Sequence, residues 1–275
     1  MTKAKKREQT QETLKDLWPG QSVELLKALH ILTREGALNA DSRRKLKQVL
    51  HLVQLLRPSL DRLFDEGEAP RLADMGAGKS YLGFVLYDLI FGPKGVGEVI
   101  AVEARGPLME AAKALAHASG FERMKFVAGA IGEVALDHKV DMVTALHACD
   151  TATDDAIRFA LKHEARVIAL VPCCQAEVAR LLDGQGRHVL HQLWRHPIQR
   201  REFASNLTNV IRGLYLEAHG YKVRVTELVG LEHSLKNELI LAERHQLSNA
   251  QARGELAALL KQLPAQPALV EGFVP

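Results

Sequence analysis

Short apolar runs alternate with amphipathic stretches from residue 71 onward. The apolar runs have the length of buried strands, and the amphipathic stretches have apolar residues at helical spacing. Strands are predicted near residues 71–75, 98–103, 124–128, 140–146, 166–171, 221–228 and 237–243, and helices near 79–91, 107–119, 151–162, 174–183, 200–218 and 248–262. This alternation is typical of βαβ units, so we expect an α/β fold with a Rossmann-like, mostly parallel sheet of seven strands.

Residues 9–65 have a helical pattern instead. An apolar stripe predicts a first helix that stops near Gly36. A second helix has Asp41 or Ser42 as its predicted N-cap, and Pro58 is expected to end it or to start a new turn. The sequence therefore predicts a small N-terminal helical region ahead of the sheet.

The best domain boundary lies at residues 65–70, which have turn composition and little to bury. We expect a basic helical accessory region at residues 1–66 and a main domain at residues 67–275. The main domain closes with a helix, capped by Ser248, and a tail.

Composition indicates a substantial core, with 47% hydrophobic and 25% charged residues in 275. The apolar runs fall short of the roughly 18–20 residues of a membrane span, and no apolar stretch follows the basic N-terminus as a secretory signal requires. A cytoplasmic monomer is therefore expected, without a membrane partner. The three cysteines, Cys149, Cys173 and Cys174, are too few for a disulfide framework and are expected to be reduced.

Basic residues are unevenly distributed, although the net charge is only +3. Residues 1–57 have 12 Lys and Arg against six Asp and Glu, and residues 187–224 have seven against two. A polyanionic partner would explain this segregation, and so would two solvated faces. Charge alone leaves both interpretations open.

A glycine turn joins the first predicted strand to the helix after it. The strand ends with Asp74, and the turn contains Gly76, Ala77, Gly78 and Lys79. Glycines are needed where a backbone turns sharply and must approach a ligand without a Cβ in the way. The turn is therefore a candidate cofactor-binding loop.

The same residues also satisfy a permissive phosphate-binding loop, because Ala73 lies five residues before Gly78-Lys79-Ser80. This alternative predicts a nucleoside triphosphate as the ligand. It needs a complete strand before Ala73, and residues 68–72 make a poor buried strand.

The second predicted strand ends in an acid, Glu103, about 25 residues beyond the turn. A carboxylate there can accept hydrogen bonds from both ribose hydroxyls of a nucleoside cofactor. A dinucleotide site would want a third glycine where Tyr81 stands. Ala130 and Ile131 follow the third strand, where the adenine edge of such a cofactor would lie.

Two further motifs carry a family resemblance. Leu146-His147-Ala148-Cys149-Asp150 follows the fourth strand, and Pro172-Cys173-Cys174-Gln175 follows the fifth. With Asp74-x-Gly76-x-Gly78-Lys79, these motifs resemble a group of class I methyltransferases that is mostly uncharacterised and includes RNA-directed relatives. The resemblance covers about residues 69–244 and implies S-adenosylmethionine as the cofactor.

The motif residues have several candidate roles. His147 could bind the cofactor, act as a general base or be a buried structural histidine. Asp150 could orient a substrate or cap the helix at residues 151–162. Ser80 and Asp150 stand where the group often has glycine, so the role of Asp150 cannot be carried over.

The cysteines suggest a second mechanism. RNA cytosine-5 methyltransferases use one cysteine to attack the base and another to assist its release, and Cys149, Cys173 and Cys174 follow adjacent central strands. The Asp-Ala-Pro-Cys pattern of those enzymes is missing, so direct methyl transfer is expected, with Cys173 and Cys174 kept as catalytic candidates. No metal site is predicted, because no second Cys/His pair stands at ligand spacing.

The two basic segments favour RNA, such as rRNA or tRNA, as the substrate, bound on one shared surface. An aromatic content of only 5% provides no evident base-stacking platform. A protein or small-molecule substrate stays an alternative, and so does a cofactor-binding fold without catalysis. The candidate substrate-binding residues are Arg43, Arg44, Lys45, Arg195, Arg200 and Arg201, and Arg212 is counted with the basic residues that favour RNA.

Overall fold

The computed structural model describes residues 17–67, 69–146, 148–173, 175–228, 238–264 and 266–273. Contacts within the chain group it into two compact units, Met1–Gly129 and Ala130–Pro275. The boundary predicted at residue 66 stays a prediction, because the N-terminal helices share a unit with the first three strands.

The first unit places two helices ahead of a three-stranded parallel sheet. Its strands lie in the order β3-β2-β1, and the register pairs Ala73 of β1 with Ile100 of β2. The elements are α1 (Val23–Ala28), α2 (Ala40–Asp65), β1 (Arg71–Met75), α3 (Tyr81–Leu86) continued by a π-helical turn (Tyr87–Phe91) and a short turn (Gly92–Lys94), β2 (Glu98–Glu103), α4 (Gly106–Ala118) and β3 (Met124–Ala128).

The second unit combines a parallel strand pair with two antiparallel strands. β4 pairs with β5 in parallel, β7 is antiparallel to β5, and β6 is antiparallel to β7. The elements are β4 (Met142–Leu146), α5 (Thr151–Lys162), β5 (Val167–Val171), α6 (Glu177–Leu181), α7 (Pro197–Ala218), β6 (Tyr221–Glu227), β7 (Glu238–Arg244), α8 (Ala250–Lys261) and two 3₁₀ turns (His191–Leu193 and Ala268–Val270).

The strands form a seven-stranded, mostly parallel sheet in the order β3-β2-β1-β4-β5-β7-β6. This confirms the predicted Rossmann-like α/β class. β5 is buried along its whole length, as its continuous apolar sequence predicts for a strand covered on both faces. Within the residues that the structure describes, no helix is long and apolar enough to span a bilayer.

The helix termini correct four predictions. The first helix, α1, ends at Ala28 and not near Gly36. Asn39, and not Asp41 or Ser42, caps α2, because its side chain accepts a hydrogen bond from the backbone N–H of Ser42 at 2.7 Å. Asn249, and not Ser248, caps α8 in the same way. The predicted helix at 174–183 is also shorter, since α6 has only five residues.

Pro58 does not end α2, contrary to our prediction. The helix continues for another seven residues, to Asp65. Pro58 has no backbone N–H to donate, but the apolar residues beyond it, Leu60 and Leu63, are buried in the core of the first unit. Their burial outweighs the loss of one helical hydrogen bond.

Arg212, which we counted among the basic surface residues that favour RNA, does not lie on the surface. It is one of the most deeply buried side chains in the described part of the chain. Its Nε donates to Asp154 Oδ1 at 2.6 Å, and its Nη2 donates to the carbonyl of Asp150 at 2.8 Å. Burial raises the pKa of Asp154, against the opposing effect of Arg212. Arg212 therefore stabilises the interior of the second unit.

Replacement of Arg212 by Met should lower the free energy of unfolding by about 3–5 kcal/mol, because it leaves the buried Asp154 carboxyl without its charged partner. Urea denaturation measures this change. The matched control is Lys113→Met, which removes an exposed ion pair with Glu110 and should cost at most about 1 kcal/mol. Equal effects in the two variants would contradict the assigned role of Arg212.

Candidate functional site

The glycine turn lies between β1 and α3 and has a left-handed backbone at three positions. Gly76, Gly78 and Ser80 have φ angles of 65°, 59° and 52°. The backbone N–H of Ala77 donates to the carbonyl of Val102 at 2.9 Å, which ties the turn to β2. The turn therefore opens at the carboxyl ends of β1 and β2, where open α/β sheets bind ligands.

Ser80 occupies this turn at a conformational cost. A residue with a Cβ is disfavoured at positive φ, which explains why glycine suits this position. The Ser80 hydroxyl is buried and has no hydrogen-bond partner among the described residues. Gly83 makes room for it, since a Cβ at Gly83 would lie 2.6 Å from Ser80 Oγ and 3.4 Å from Asp74 Oδ2. Asp74 itself is buried at the end of β1.

The Glu103 carboxylate ends β2 and contacts the glycine turn directly. Its Oε2 accepts the backbone N–H of Gly78 at 2.7 Å, and its Oε1 accepts the backbone N–H of Arg105 at 2.9 Å. The Arg105 guanidinium adds two hydrogen bonds, at 2.7 and 3.1 Å. The hydrogen bond from Arg105 is the main reason that the pKa of Glu103 lies below its ordinary value.

Arg105 covers the carboxylate that we expected to face a ribose. Its side chain is 66% exposed, whereas that of Glu103 is 6% exposed. We did not predict Arg105 as a site residue. Its position two residues after Glu103 could have indicated that it pairs with this carboxylate. Because the arginine is exposed, its guanidinium can rotate away from Glu103 when a ligand supplies donors in its place.

The geometry argues against a phosphate-binding loop. Ala73 lies in the middle of β1, is fully buried and pairs with Ile100 of β2. A phosphate-binding loop would need this position to be the first residue of the loop. The glycines therefore come too early to wrap a phosphate.

Asp150 is held in a strained backbone conformation after β4. Its φ of 53° and ψ of −124° are rarely adopted by residues with a Cβ and would suit glycine better. Its carboxylate does not cap α5, contrary to one of our two expectations. Instead, Oδ1 accepts the backbone N–H groups of Ala176 and Glu177 at 2.8 and 2.9 Å, and Oδ2 accepts Arg180 at 3.0 Å.

The environment of Asp150 keeps it ionised. Burial alone would raise its pKa, but the hydrogen bonds from Glu177, Arg180 and Ala176 lower the pKa below its ordinary value. Asp150 therefore bridges the segment after β4 and the segment after β5. Arg180 was missed in the sequence because its partner lies 30 residues away.

The two cysteine-containing segments, after β4 and after β5, lie next to each other. Cys149 Sγ lies 3.3 Å from Cys173 Sγ, and the two are not joined in a disulfide. His147 and Cys174 lie outside the described residues. The described residues contain no cluster of His, Cys, Asp and Glu that could hold a metal ion.

Gln175 follows the second cysteine motif and is buried. It accepts a hydrogen bond from Ser205 and donates one to Asn209, both on α7. Gln175 also lines a cleft of about 400 Å³. The other lining residues are Ala176, Ala179, Arg180, Asp183, Pro197, Arg200 and Arg201.

The predicted substrate-binding residues lie in both units. Arg44 and Lys45 are exposed on α2 in the first unit, and Arg43 beside them is half-buried. In the second unit, Arg195 and Arg201 are exposed. Arg200 is half-buried and pairs with Asp183 at 2.6 Å. The shared surface for the two basic segments stays a prediction.

Ala130 and Ile131, the residues predicted to lie at the adenine edge, are the first two residues of the second unit. Ala130 is exposed, and its carbonyl accepts the backbone N–H groups of Glu133 and Val134. Ile131 is half-buried. Their predicted contact with a cofactor stays a prediction, like the contacts of Lys79 and Ala77.

Fold and turn together define a Rossmann-like nucleoside-binding α/β protein. Within this class, a sequence model of a family described as "Methyltransferase domain" matches residues 44–181, half of the chain. The chain belongs to this family and is an S-adenosylmethionine-dependent methyltransferase. No curated protein matches its sequence significantly.

Solved structures of methyltransferases resemble the chain at low sequence identity. The Podospora anserina methyltransferase PaMTH1, with bound SAH, is 12% identical over 90% of this chain and 97% of its own, with a TM-score of 0.48. The magnesium protoporphyrin IX methyltransferase ChlM of Synechocystis PCC 6803 is 14% identical over 82% and 95%, with a TM-score of 0.46. An rRNA methylase of Streptococcus thermophilus is 10% identical over 64% and 87%, with a TM-score of 0.42.

The residues present fit this cofactor. Gly76 and Gly78 keep the turn free of side chains, and a Cβ at Gly78 would already contact Arg105 Nη2 at 3.5 Å. The buried Glu103 carboxylate beside the turn supplies acceptors of the kind that ribose hydroxyls need. S-adenosylmethionine, when bound, supplies the methyl group on a sulfonium.

Replacement of Ser80 by Gly should raise the free energy of unfolding by about 1 kcal/mol. Glycine adopts the left-handed conformation without strain, and the change removes a buried hydroxyl that has no partner among the described residues, against a smaller entropic cost. Urea denaturation checks this. Ser119→Gly is the control, because Ser119 has a φ of −90° and gains no relief. A loss of stability in Ser80→Gly would show that the hydroxyl has a structural role.

Proposed function

We propose that this methyltransferase transfers a methyl group directly to RNA, such as rRNA or tRNA. The observation that carries the proposal is the cleft whose lining combines Gln175, four residues after β5, with Arg180, Arg200 and Arg201. Ligands of open α/β sheets bind at this end of the strands, and guanidinium groups bind phosphate oxygens in bidentate fashion. A phosphodiester backbone in the cleft would place a nucleotide beside the segments after β4 and β5.

The cofactor-binding part of the proposal rests on the first unit. Gly76, Ala77 and Gly78 would contact the cofactor through their backbone, with Asp74 and Lys79 flanking them. Glu103 would accept the ribose hydroxyls once Arg105 has rotated out of the way. Its existing bond to Gly78 N–H supports this role, because it fixes the carboxylate against the turn.

The remaining site residues would orient the substrate. Methyl transfer from a sulfonium needs the acceptor in line with the methyl group, so positioning supplies most of the rate. Asp150 is anchored by three donors and would hold the segments after β4 and β5 in place. His147 remains our candidate for a general base or a cofactor contact, and Ala130 and Ile131 remain candidates for the adenine edge.

Cys173 and Cys174 remain alternative catalytic residues. The contact between Cys149 and Cys173 places two thiols together, as a two-cysteine mechanism on cytosine would require. A covalent adduct trapped on 5-fluorocytosine RNA would favour that mechanism over direct transfer.

A protein substrate is the second candidate. Val189, Leu193 and Ile198 are exposed in the same stretch as Arg195, with exposed fractions between 48% and 88%. Aliphatic side chains do not stack on bases, but they do bind apolar side chains of a protein partner. Transfer of a labelled methyl group to RNA from cells that lack the gene, compared with protein from the same cells, discriminates the two.

Replacement of Glu103 by Gln should weaken binding of S-adenosylhomocysteine by roughly 10–100-fold, because one charge-assisted hydrogen bond contributes about 1.5–3 kcal/mol. Gln keeps an acceptor for Gly78 N–H, so the turn should remain folded. Arg105→Ala should bind at least as tightly as the unmodified protein, since it uncovers the carboxylate. Calorimetry measures both affinities. If only Arg105→Ala weakened binding, Glu103 would serve the turn alone.

Replacement of Arg195, Arg200 and Arg201 together by Ala should weaken RNA binding and flatten its salt dependence. For single-stranded RNA, each lost phosphate contact reduces the slope of log affinity against log salt by about 0.7. Binding of S-adenosylhomocysteine should not change. Lys261→Ala, at an exposed position on α8, is the control. Salt-independent RNA binding by the unmodified protein would argue for the protein substrate instead.

A further inference from the structure

The two described cysteines lie at the ends of neighbouring parallel strands. Cys149 comes three residues after β4 and Cys173 two residues after β5, and the register pairs the last residues of these strands, Leu146 and Val171. Their Sγ atoms are 3.3 Å apart. Cys149 is exposed and Cys173 is partly exposed, so small reagents can reach the pair.

The backbone around both thiols is fixed by hydrogen bonds that do not involve sulfur. On one side, Thr153 Oγ1 donates to the carbonyl of Ala148 at 2.6 Å. Across the pair, the Asp150 carboxylate accepts the N–H groups of Ala176 and Glu177. The backbone on either side of the two cysteines is therefore held in place by the segments that leave the strands.

The spacing suits a disulfide. A disulfide needs an S–S bond of about 2.05 Å. Closing the gap requires the sulfur atoms to approach by little more than about 1 Å, which rotation about the Cα–Cβ bonds can supply.

We propose that Cys149 and Cys173 form a dithiol site that a peroxide oxidises reversibly to a disulfide. One thiolate attacks a peroxide oxygen, the O–O bond breaks, and a sulfenic acid and hydroxide form. The second thiolate attacks that sulfur, the S–S bond forms, and a second hydroxide leaves. Two protons from the thiols convert the hydroxides to water, so the dithiol loses two electrons and hydrogen peroxide is reduced to two waters.

The bond would tie the segment after β4 to the segment after β5. Asp150 already bridges these segments through hydrogen bonds, and the disulfide would make the connection covalent. The proposal concerns a modification site, and it stands whether RNA or protein is the substrate.

Peptide mapping of the full-length protein tests the proposal. The reduced protein is titrated with hydrogen peroxide, the remaining thiols are alkylated, and the digest is analysed by mass spectrometry without reduction. We expect two of the three thiols to be lost, a linked peptide joining residues 149 and 173, and full recovery of the thiols with dithiothreitol.

Three serine variants sharpen the test. Cys149→Ser and Cys173→Ser should each abolish the linked peptide, whereas Cys174→Ser, the matched control, should form it as readily as the unmodified protein. Mapping of the unmodified protein decides the question even if one variant fails to fold. A link from Cys174 to either other cysteine, a disulfide-linked dimer, or irreversible oxidation without any link would overturn the proposal.

Discussion

In each unit, a carboxylate near the end of one parallel strand accepts backbone N–H groups from the segment that follows the neighbouring strand. Glu103 ends β2 and binds the N–H of Gly78 after β1. Asp150 follows β4 and binds the N–H groups of Ala176 and Glu177 after β5. Where a segment leaves a sheet, its backbone N–H groups lose their hydrogen-bond acceptors on the neighbouring strand. One ionised carboxylate can accept hydrogen bonds from several of these N–H groups at once. Within each unit, the shape of the candidate site residues therefore depends on one of these acids.

The same segments store backbone strain. Ser80 and Asp150 both have positive φ although they carry a Cβ, at a cost of about 1–3 kcal/mol each. Asp150 recovers that cost through three donors that hold its carboxylate, whereas the Ser80 hydroxyl finds no partner among the described residues. The two residues with positive φ therefore differ physically. Asp150 forms a structural bridge, whereas Ser80 retains its strain within the glycine turn.

Periodicity predicted the strands and the helix at residues 151–162 because burial of apolar side chains dominates both. It failed where a single contact decides the outcome. Asn39 and Asn249 cap helices that neighbouring Asp and Ser residues could have capped equally well by composition. The burial of Arg212 depends on Asp154, 58 residues away, which no local pattern reveals. In the candidate site, the glycine turn and Glu103 were found from spacing, but Arg105 was missed because its role is set by side-chain direction.

Charge counts overstated the surface available to a polyanion. Of the arginines in the second basic segment, Arg212 is buried in an ion pair and Arg200 is paired with Asp183. Arg195 and Arg201 are exposed, and exposed aliphatic residues lie among them. Contacts with phosphates use the positive charges and do not account for the exposed aliphatic side chains. An apolar docking surface accounts for the aliphatic side chains but not for the arginines. On the proposed RNA function, a phosphate that binds Arg200 has to displace Asp183 from it. Both ions of that pair are reached by solvent, which makes the exchange of one anion for another inexpensive.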